Sequence, residues 1–296
     1  MNKLDIAKRI QILNMLVEGS SMRSTSRVCD VSFNTVVKLL EDAGEFCARF
    51  HDANVRNVKA KRVQCDEIWS FTYAKEKNVA RAKSAPDGAG DAWAWTGITA
   101  DTKLIVSYFV GKRDGECAKW FMDDVAARLA TRVQLTTDGL KSYLDAVEGA
   151  FGSDVDYAQL VKLYGASPES AKGRYSPAEC TGTIKTKITG NPDKRHVSTS
   201  FVERQNLTMR MSMRRFTRLT NAFSKKIDNH VHMLSIYFVW YNWIRTHKTL
   251  RVTPAMAAGL TKVTMDWTDI LAQMDAEAPK PAPRGPYKKH SDEISN

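Results

Sequence analysis

The stretch 63-VQCDEIWSFTY-73 carries apolar or aromatic side chains at Val63, Cys65, Ile68, Trp69, Phe71 and Tyr73, and sets two adjacent carboxylates, Asp66 and Glu67, in their midst. Its aromatic and β-branched content predicts a strand. A carboxylate inside a buried strand is costly unless it is paired or binds a metal. The alternation puts Val63, Cys65 and Glu67 on one face and Gln64, Asp66 and Ile68 on the other. That pattern leaves open which of the two acids faces a site.

Two more strands follow this one, 92-AWAWTGITA-100 and 103-KLIVSYFVG-111, joined by a short turn at 101-DT-102 and preceded by the loop 83-KSAPDGAGD-91. Across residues 114–130, Cys117, Trp120, Phe121, Val125 and Leu129 recur at helical spacing. The run 133-VQLTTDG-139 predicts a short strand ending in a turn, residues 140–151 a helix, and 155–164 a fifth strand. Residues 165–199 are polar, basic and Gly/Pro-containing, which predicts a long loop or insertion; residues 200–215 and 224–247 predict helices. Three strands followed by alternating helices and strands make an antiparallel meander extended by helical crossovers. This is the element order of an α/β protein with a ribonuclease-H-like mixed sheet flanked by helices. That is a statement of fold; function must come from the site.

Ahead of the sheet, Ile6, Ile10, Leu13, Leu16 and Val17 have helical spacing, with Gly19 as the C-cap. The next stretch, 22-MRSTSRVCDVSFNTVVKLLEDAG-44, divides into a short helix (24–29), a tight turn at Asp30, Val31 and Ser32, and a second helix (34–42) capped by Ser32. Two helices joined by so short a turn form a helix-turn-helix pattern or a plain helical hairpin. In the first case the residues offered to a DNA major groove are Ser32, Asn34, Thr35 and Lys38. The expected organisation is a helix-turn-helix domain over 1–55, a basic linker over 56–62, a catalytic domain over 63–260 with the basic insertion 165–199, and a C-terminal segment over 261–296. The Pro/Lys-rich tail from residue 276 reads as disordered.

The 296 residues carry a net charge of +11. Residues 166–226 hold 13 Lys and Arg against 4 Asp and Glu, whereas residues 1–60 hold 9 against 7. So local an excess points to a polyanion, of which nucleic acid is the commonest. No basic amphipathic helix supports the rival, an anionic membrane surface. Five scattered cysteines without a CxxC pair give neither a disulfide framework nor a zinc knuckle, and fit a reducing, cytoplasmic setting. No signal peptide is read at the start of the chain. The most apolar stretch, 231-VHMLSIYFVWYNWI-244, contains His and Asn, is too short for a membrane span, and reads as a buried helix.

Three acids stand out by position. Asp66 lies midway along the first strand, Asp138 at the end of the fourth in 136-TTDGLKSY-143, and Glu203 in the first turn of a helix in 200-SFVERQNLTMR-210. Functional groups of an α/β sheet gather where strands end and helices begin. If the first and fourth strands are neighbours, both aspartates reach one spot and the helix of Glu203 packs beside it. Three hard oxygen ligands suit Mg²⁺, and paired divalent ions at such a site promote phosphodiester chemistry. Taken singly, an Asp-Gly is an ordinary turn and a Glu in a first turn an ordinary partner of the helix dipole.

The blocks DEIWSF, TTDGLKSY and FVERQNLTMR, in this order, resemble those of DDE transposases of bacterial insertion sequences, and are most similar to the InsB-like type. The resemblance runs from about residue 63 to residue 260, taking in 241-YNWIRTHKTL-250 and 253-TPAMAAGL-260. It implies that Asp66, Asp138 and Glu203 are the metal-binding catalytic triad, with Asp66 favoured over Glu67. It further implies Mg²⁺ as cofactor, with Mn²⁺ as a substitute, and cleavage at the element's ends followed by strand transfer by the freed 3′-hydroxyl. Arg210, seven residues after the glutamate, falls where the family often places a DNA-contacting base, and His196 either lines the site or is an exposed loop residue. The family's N-terminal cysteine-rich zinc motif is missing here, which leaves recognition of the ends to the helix-turn-helix.

The charge fits DNA. Arg204, Arg210, Arg214, Arg215 and Arg218 follow Glu203, with Lys225 and Lys226 beyond and no acid over 204–226. The tail segment 283-PRGPYKK-289 faintly resembles a minor-groove arm. The expected partners are double-stranded DNA, as terminal inverted repeats and as target, and further copies of the chain, in a nucleoid-associated cytoplasmic setting. Two other functions are a non-catalytic, domesticated DNA-binding regulator and a ribonuclease-H-like nuclease that cuts without joining. Three acids in ordered blocks favour the transposase over the regulator.

Overall fold

A computed structural model describes residues 3–165, 180–217 and 221–278. Three helices open the chain, α1 (Ile6–Val17), α2 (Met22–Val28) and α3 (Phe33–Asn54). Each begins at a side-chain cap: Asp5 accepts from the Lys8 N–H, Ser21 from Ser24, and Ser32 from Thr35. Gly19, just past the end of α1, has a φ of +83°, the left-handed conformation of a C-cap. The second helix of the pair runs to Asn54, well beyond residue 42, where the sequence predicts its end. Its stripe Val36, Leu39, Leu40 continues through Ala43, Phe46, Cys47 and Phe50, all buried. Gly44 lies within the helix as a point of close approach: a Cβ there would lie 2.3 Å from the Cβ of His232.

The sheet follows, with β1 (Arg62–Thr72), α4 (Glu76–Val79), β2 (Gly90–Thr99), β3 (Ile105–Gly111), α5 (Gly115–Arg128), β4 (Val133–Thr137), α6 (Ser142–Phe151), β5 (Val155–Tyr164) and β6 (Cys180–Thr189). The strand order is β3-β2-β1-β4-β5-β6. β1 pairs antiparallel with β2 and parallel with β4; β4 and β5 are parallel, and β6 returns antiparallel to β5. A mixed six-stranded sheet flanked by helices in this order is compatible with a ribonuclease-H-like fold. The sixth strand lies where a loop is expected over 165–199. It is almost wholly exposed on both faces, and its short alternation of Ile184 and Ile188 with Lys185 and Lys187 lies within a stretch whose Gly, Pro and basic residues read as loop. Residues 166–179 of that insertion lie outside the described residues, and a 3₁₀ turn, Lys194–His196, follows β6.

The remaining helices are α7 (Ser200–Ser212), α8 (Ile227–Val239), α9 (Pro254–Ala257) and α10 (Trp267–Glu277). A 3₁₀ turn, Arg214–Phe216, follows α7, and a π turn, Trp240–Ile244, follows α8, interrupting the two long helices expected over 200–215 and 224–247. The apolar segment 231–244 is a buried helix and turn, as expected. Asn242 in the turn donates its amide to the Ile105 carbonyl and accepts from the Ile105 N–H, each at 3.0 Å. It thereby covers part of the edge of β3. One continuous apolar cluster runs from Ile12 to Leu271, so the N-terminal helices share the core of the sheet. The segment expected as a linker also joins that body, since Val58 exchanges backbone hydrogen bonds with Arg128 and Ala130. No described helix is long and apolar enough to cross a membrane. The tail segment 283–289 lies outside the described residues, and α10 occupies the start of the stretch expected to be disordered from residue 276.

Candidate metal centre

β1 and β4 run parallel with Gln64 opposite Thr136. Two residues further along each chain, Asp66 and Asp138 stand side by side where β4 ends. Together with Glu67 they bring carboxylate oxygens within 4.8 Å of one another. Gln64 and Asp66 face α7. The Gln64 side-chain oxygen accepts from the N–H groups of Phe201 and Val202, at 2.8 and 3.2 Å. It caps a helix whose own N-cap residue, Thr199, supplies no side-chain cap. Asn206, in the second turn of that helix, donates Nδ2 to Asp66 Oδ2 at 2.8 Å.

Glu67 points to the other face. Its oxygens accept from Arg113 Nε at 2.5 Å and from the Tyr143 hydroxyl at 3.1 Å. The Arg113 guanidinium lies over the Trp93 ring, 4.9 Å from its centroid, and its Nη2 is 3.6 Å from Asp138 Oδ2. Glu67 is thus compensated by fixed protein donors. Asp138 accepts from the Leu140 N–H at 3.0 Å, which closes the turn after β4. Burial, and then the charges of Glu67 and Asp138, push the Asp66 carboxyl up to about 7.

The donor set fits a hard divalent cation. Asp66 and Asp138 offer carboxylate oxygens whose mutual repulsion such a cation would relieve. Asn206 Oδ1 is buried with no hydrogen-bond partner. An orphaned acceptor beside two carboxylates suits a water held by an ion.

Glu203 lies in the first turn of α7, as expected, and lines the same cavity of about 970 Å³ as Asp66, Glu67 and Asp138. It is outside the tight acidic group. Lys162 of β5 forms an ion pair with its Oε2, and Thr199 donates to its Oε1 at 2.5 Å. Arg210 lines the cavity too. Arg204 and Arg214 are exposed, whereas the Arg215 guanidinium turns inward to the Asn229 carbonyl, and burial lowers it to about 10. Arg218 lies outside the described residues. His196 is exposed at a different cavity, bonded through Nδ1 to Arg62 Nη1 at 2.7 Å. Arg62 starts β1, four residues before Asp66.

At the start of α3, Ser32 and Asn34 are exposed, Thr35 is half-buried against the Ser32 hydroxyl at 2.8 Å, and Lys38 pairs with Asp42 at 2.5 Å. Sequence reading missed four residues of the site, namely Arg113, Tyr143, Lys162 and Asn206. Only Asn206 carried a usable signal, its place three residues after Glu203 on one helix face.

No protein-family model matches the chain, and no curated protein matches it. Fold and site together define an α/β protein with an acidic cluster that could hold a metal ion, set where the central strands β1 and β4 of a mixed sheet lie side by side.

Proposed function

We propose that the chain is a DDE-type transposase of the insertion-sequence kind. It binds double-stranded DNA at terminal inverted repeats, cleaves a phosphodiester at the element's ends, and joins the freed 3′-hydroxyl to target DNA. The observation that carries the reading is the parallel register of β1 and β4, which sets Asp66 beside Asp138. Asp66 and Asp138 would hold Mg²⁺ or Mn²⁺, with Glu203 as third carboxylate and Asn206 supporting from the same helix. When bound, divalent ions there activate the attacking hydroxyl and stabilise the leaving oxygen.

The chain's own cations serve the substrate. Arg113, Lys162 and Arg210 border the cavity and neutralise phosphate near the carboxylates, while Arg204 and Arg214 extend positive charge over the surface. The pair α2 and α3, used as a helix-turn-helix, would read the repeats through Ser32, Asn34, Thr35 and Lys38. The reading includes a nucleoid-associated cytoplasmic setting and an assembly of several copies on paired ends.

One observation favours a second reading, a DNA-binding regulator without catalysis: Glu203 is tied up by Lys162. A transfer assay separates the two. The gene with its native flanks is placed on a donor plasmid, and movement to a second replicon is scored for wild type and for Asp138→Asn. Movement of the wild type alone supports the transposase. Absence of movement in both, with retained binding to the flanks, supports the regulator.

A further inference from the structure

Four carboxylates line the cavity, and Glu203 is the one that the acidic cluster leaves out. Both its oxygens are engaged, by Lys162 and by Thr199. Lys162 is well placed to hold it. On β5, Ala158 and Leu160 form with Val197 a small apolar cluster that ties this strand to the segment leading into α7. The Lys162 side chain is 31% exposed and lines the cavity. One turn beyond Glu203, Asn206 reaches Asp66. The same helix thus delivers an amide to the cluster and withholds its carboxylate.

We propose that Lys162 is a positioning residue that keeps Glu203 out of the metal centre until DNA arrives. In the free protein, Asp66 and Asp138 alone bind a divalent cation. A backbone phosphate entering the cavity takes the ammonium as a competing acceptor, and the released Glu203 completes the centre. The inference rests on the metal-centre reading given above.

Mn²⁺ binding by the full chain, followed through the paramagnetic resonance of the free ion, tests it without reference to activity. Asp138→Asn should weaken binding by about tenfold or more, the range found when groups around a metal are removed. Glu203→Gln should change nothing in the DNA-free protein. Lys162→Met should tighten binding by about tenfold, and the double variant with Glu203→Gln should lose that gain. With a short DNA duplex of arbitrary sequence added, Glu203→Gln should weaken binding even where Lys162 is intact. Lys162→Gln repeats the test should the Met variant melt early. The proposal is overturned if Glu203→Gln alone weakens DNA-free binding as much as Asp138→Asn, or if the gain in Lys162→Met survives loss of the carboxylate. A wild type whose Mn²⁺ binding is undetectable, or is untouched by Asp138→Asn, overturns the metal-centre reading itself.

Discussion

Asn206 donates its side-chain amide to Asp66 at 2.8 Å while its own carbonyl oxygen stays buried and unpartnered. Leaving such an acceptor unsatisfied costs about 1–3 kcal/mol. The arrangement is suited to binding rather than to stability. Asn206→Leu, of similar shape, should therefore cost no more than about 1 kcal/mol of stability. It should weaken Mn²⁺ binding by about tenfold. Urea titration and Mn²⁺ titration of one preparation check both halves; a large loss of stability with unchanged metal affinity would make Asn206 purely structural.

The acidic centre gives stability a pH dependence of definite sign. The Asp66 pKa rises on folding from 3.8 to about 7, so the folded chain holds the proton more tightly. The stability this supplies is fully present below the lower value and is lost as pH rises through the upper one. A divalent ion competes with that proton. Mg²⁺ should thus raise the unfolding midpoint more at about pH 8 than at about pH 6. Asp66→Asn should stabilise the metal-free protein at the higher pH and abolish the response to Mg²⁺.

Two buried histidines act with the opposite sign. Burial pushes His51 and His230 from 6.5 down to about 3. Their contribution is present above 6.5 and is lost as pH falls towards 3, because the unfolded chain takes up the protons first. His51 Nε2 lies 3.2 Å from the Ile105 carbonyl, a bond that a glutamine amide can replace. His51→Gln should flatten the acid limb of stability by up to about 1.4 kcal/mol per pH unit, read from urea midpoints between neutral pH and about pH 5.

Gly44 sets the approach of α3 to α8. A methyl group there would meet His232 at backbone distance, 2.6 Å from its Cα. Gly44→Ala should cost about 1–3 kcal/mol through overpacking. Metal affinity should not change, since the contact is remote from the carboxylates. An unaltered urea midpoint would mean that the two helices are not held this closely in solution.

DNA binding should divide the arginines. Arg204→Ala and Arg214→Ala should each lower the slope of log affinity against log salt by about 0.9. Arg215→Ala should leave the slope alone and reduce stability, because its guanidinium is spent on the Asn229 carbonyl. Fluorescence anisotropy over a salt series, alongside thermal melts, separates these effects.

What the sequence could tell follows from how local each signal is. The first five strands and the positions of Asp66, Asp138 and Glu203 depend on short-range periodicity and on strand and helix ends, which single segments record. The orientation of Asp66 and Glu67 was beyond it, because both acids reach the cluster from opposite faces of one strand. The partners of the carboxylates were illegible for a different reason. Arg113 meets Glu67 across 46 positions, Lys162 meets Glu203 across 41, and Asn206 meets Asp66 across 140. No local pattern encodes those pairings, although the spacing of three from Glu203 puts Asn206 on the same helix face. β6 has no buried face, and its alternation of Ile184 and Ile188 with Lys185 and Lys187 is submerged in a polar, basic stretch; α3 runs past residue 42 because Gly44 packs against His232 of α8, a contact no local pattern records.

As a transposase, the protein would cut DNA at a divalent-ion centre formed by Asp66 and Asp138. Incubating purified protein with a supercoiled plasmid carrying the gene's native flanks tests it most directly, with Mg²⁺ or chelator, for wild type and Asp138→Asn. Breaks at the flank junctions are expected for the wild type with Mg²⁺ only, and none for the variant although it still binds the flanks. Equal cutting by both proteins, or cutting that persists in chelator, would contradict it.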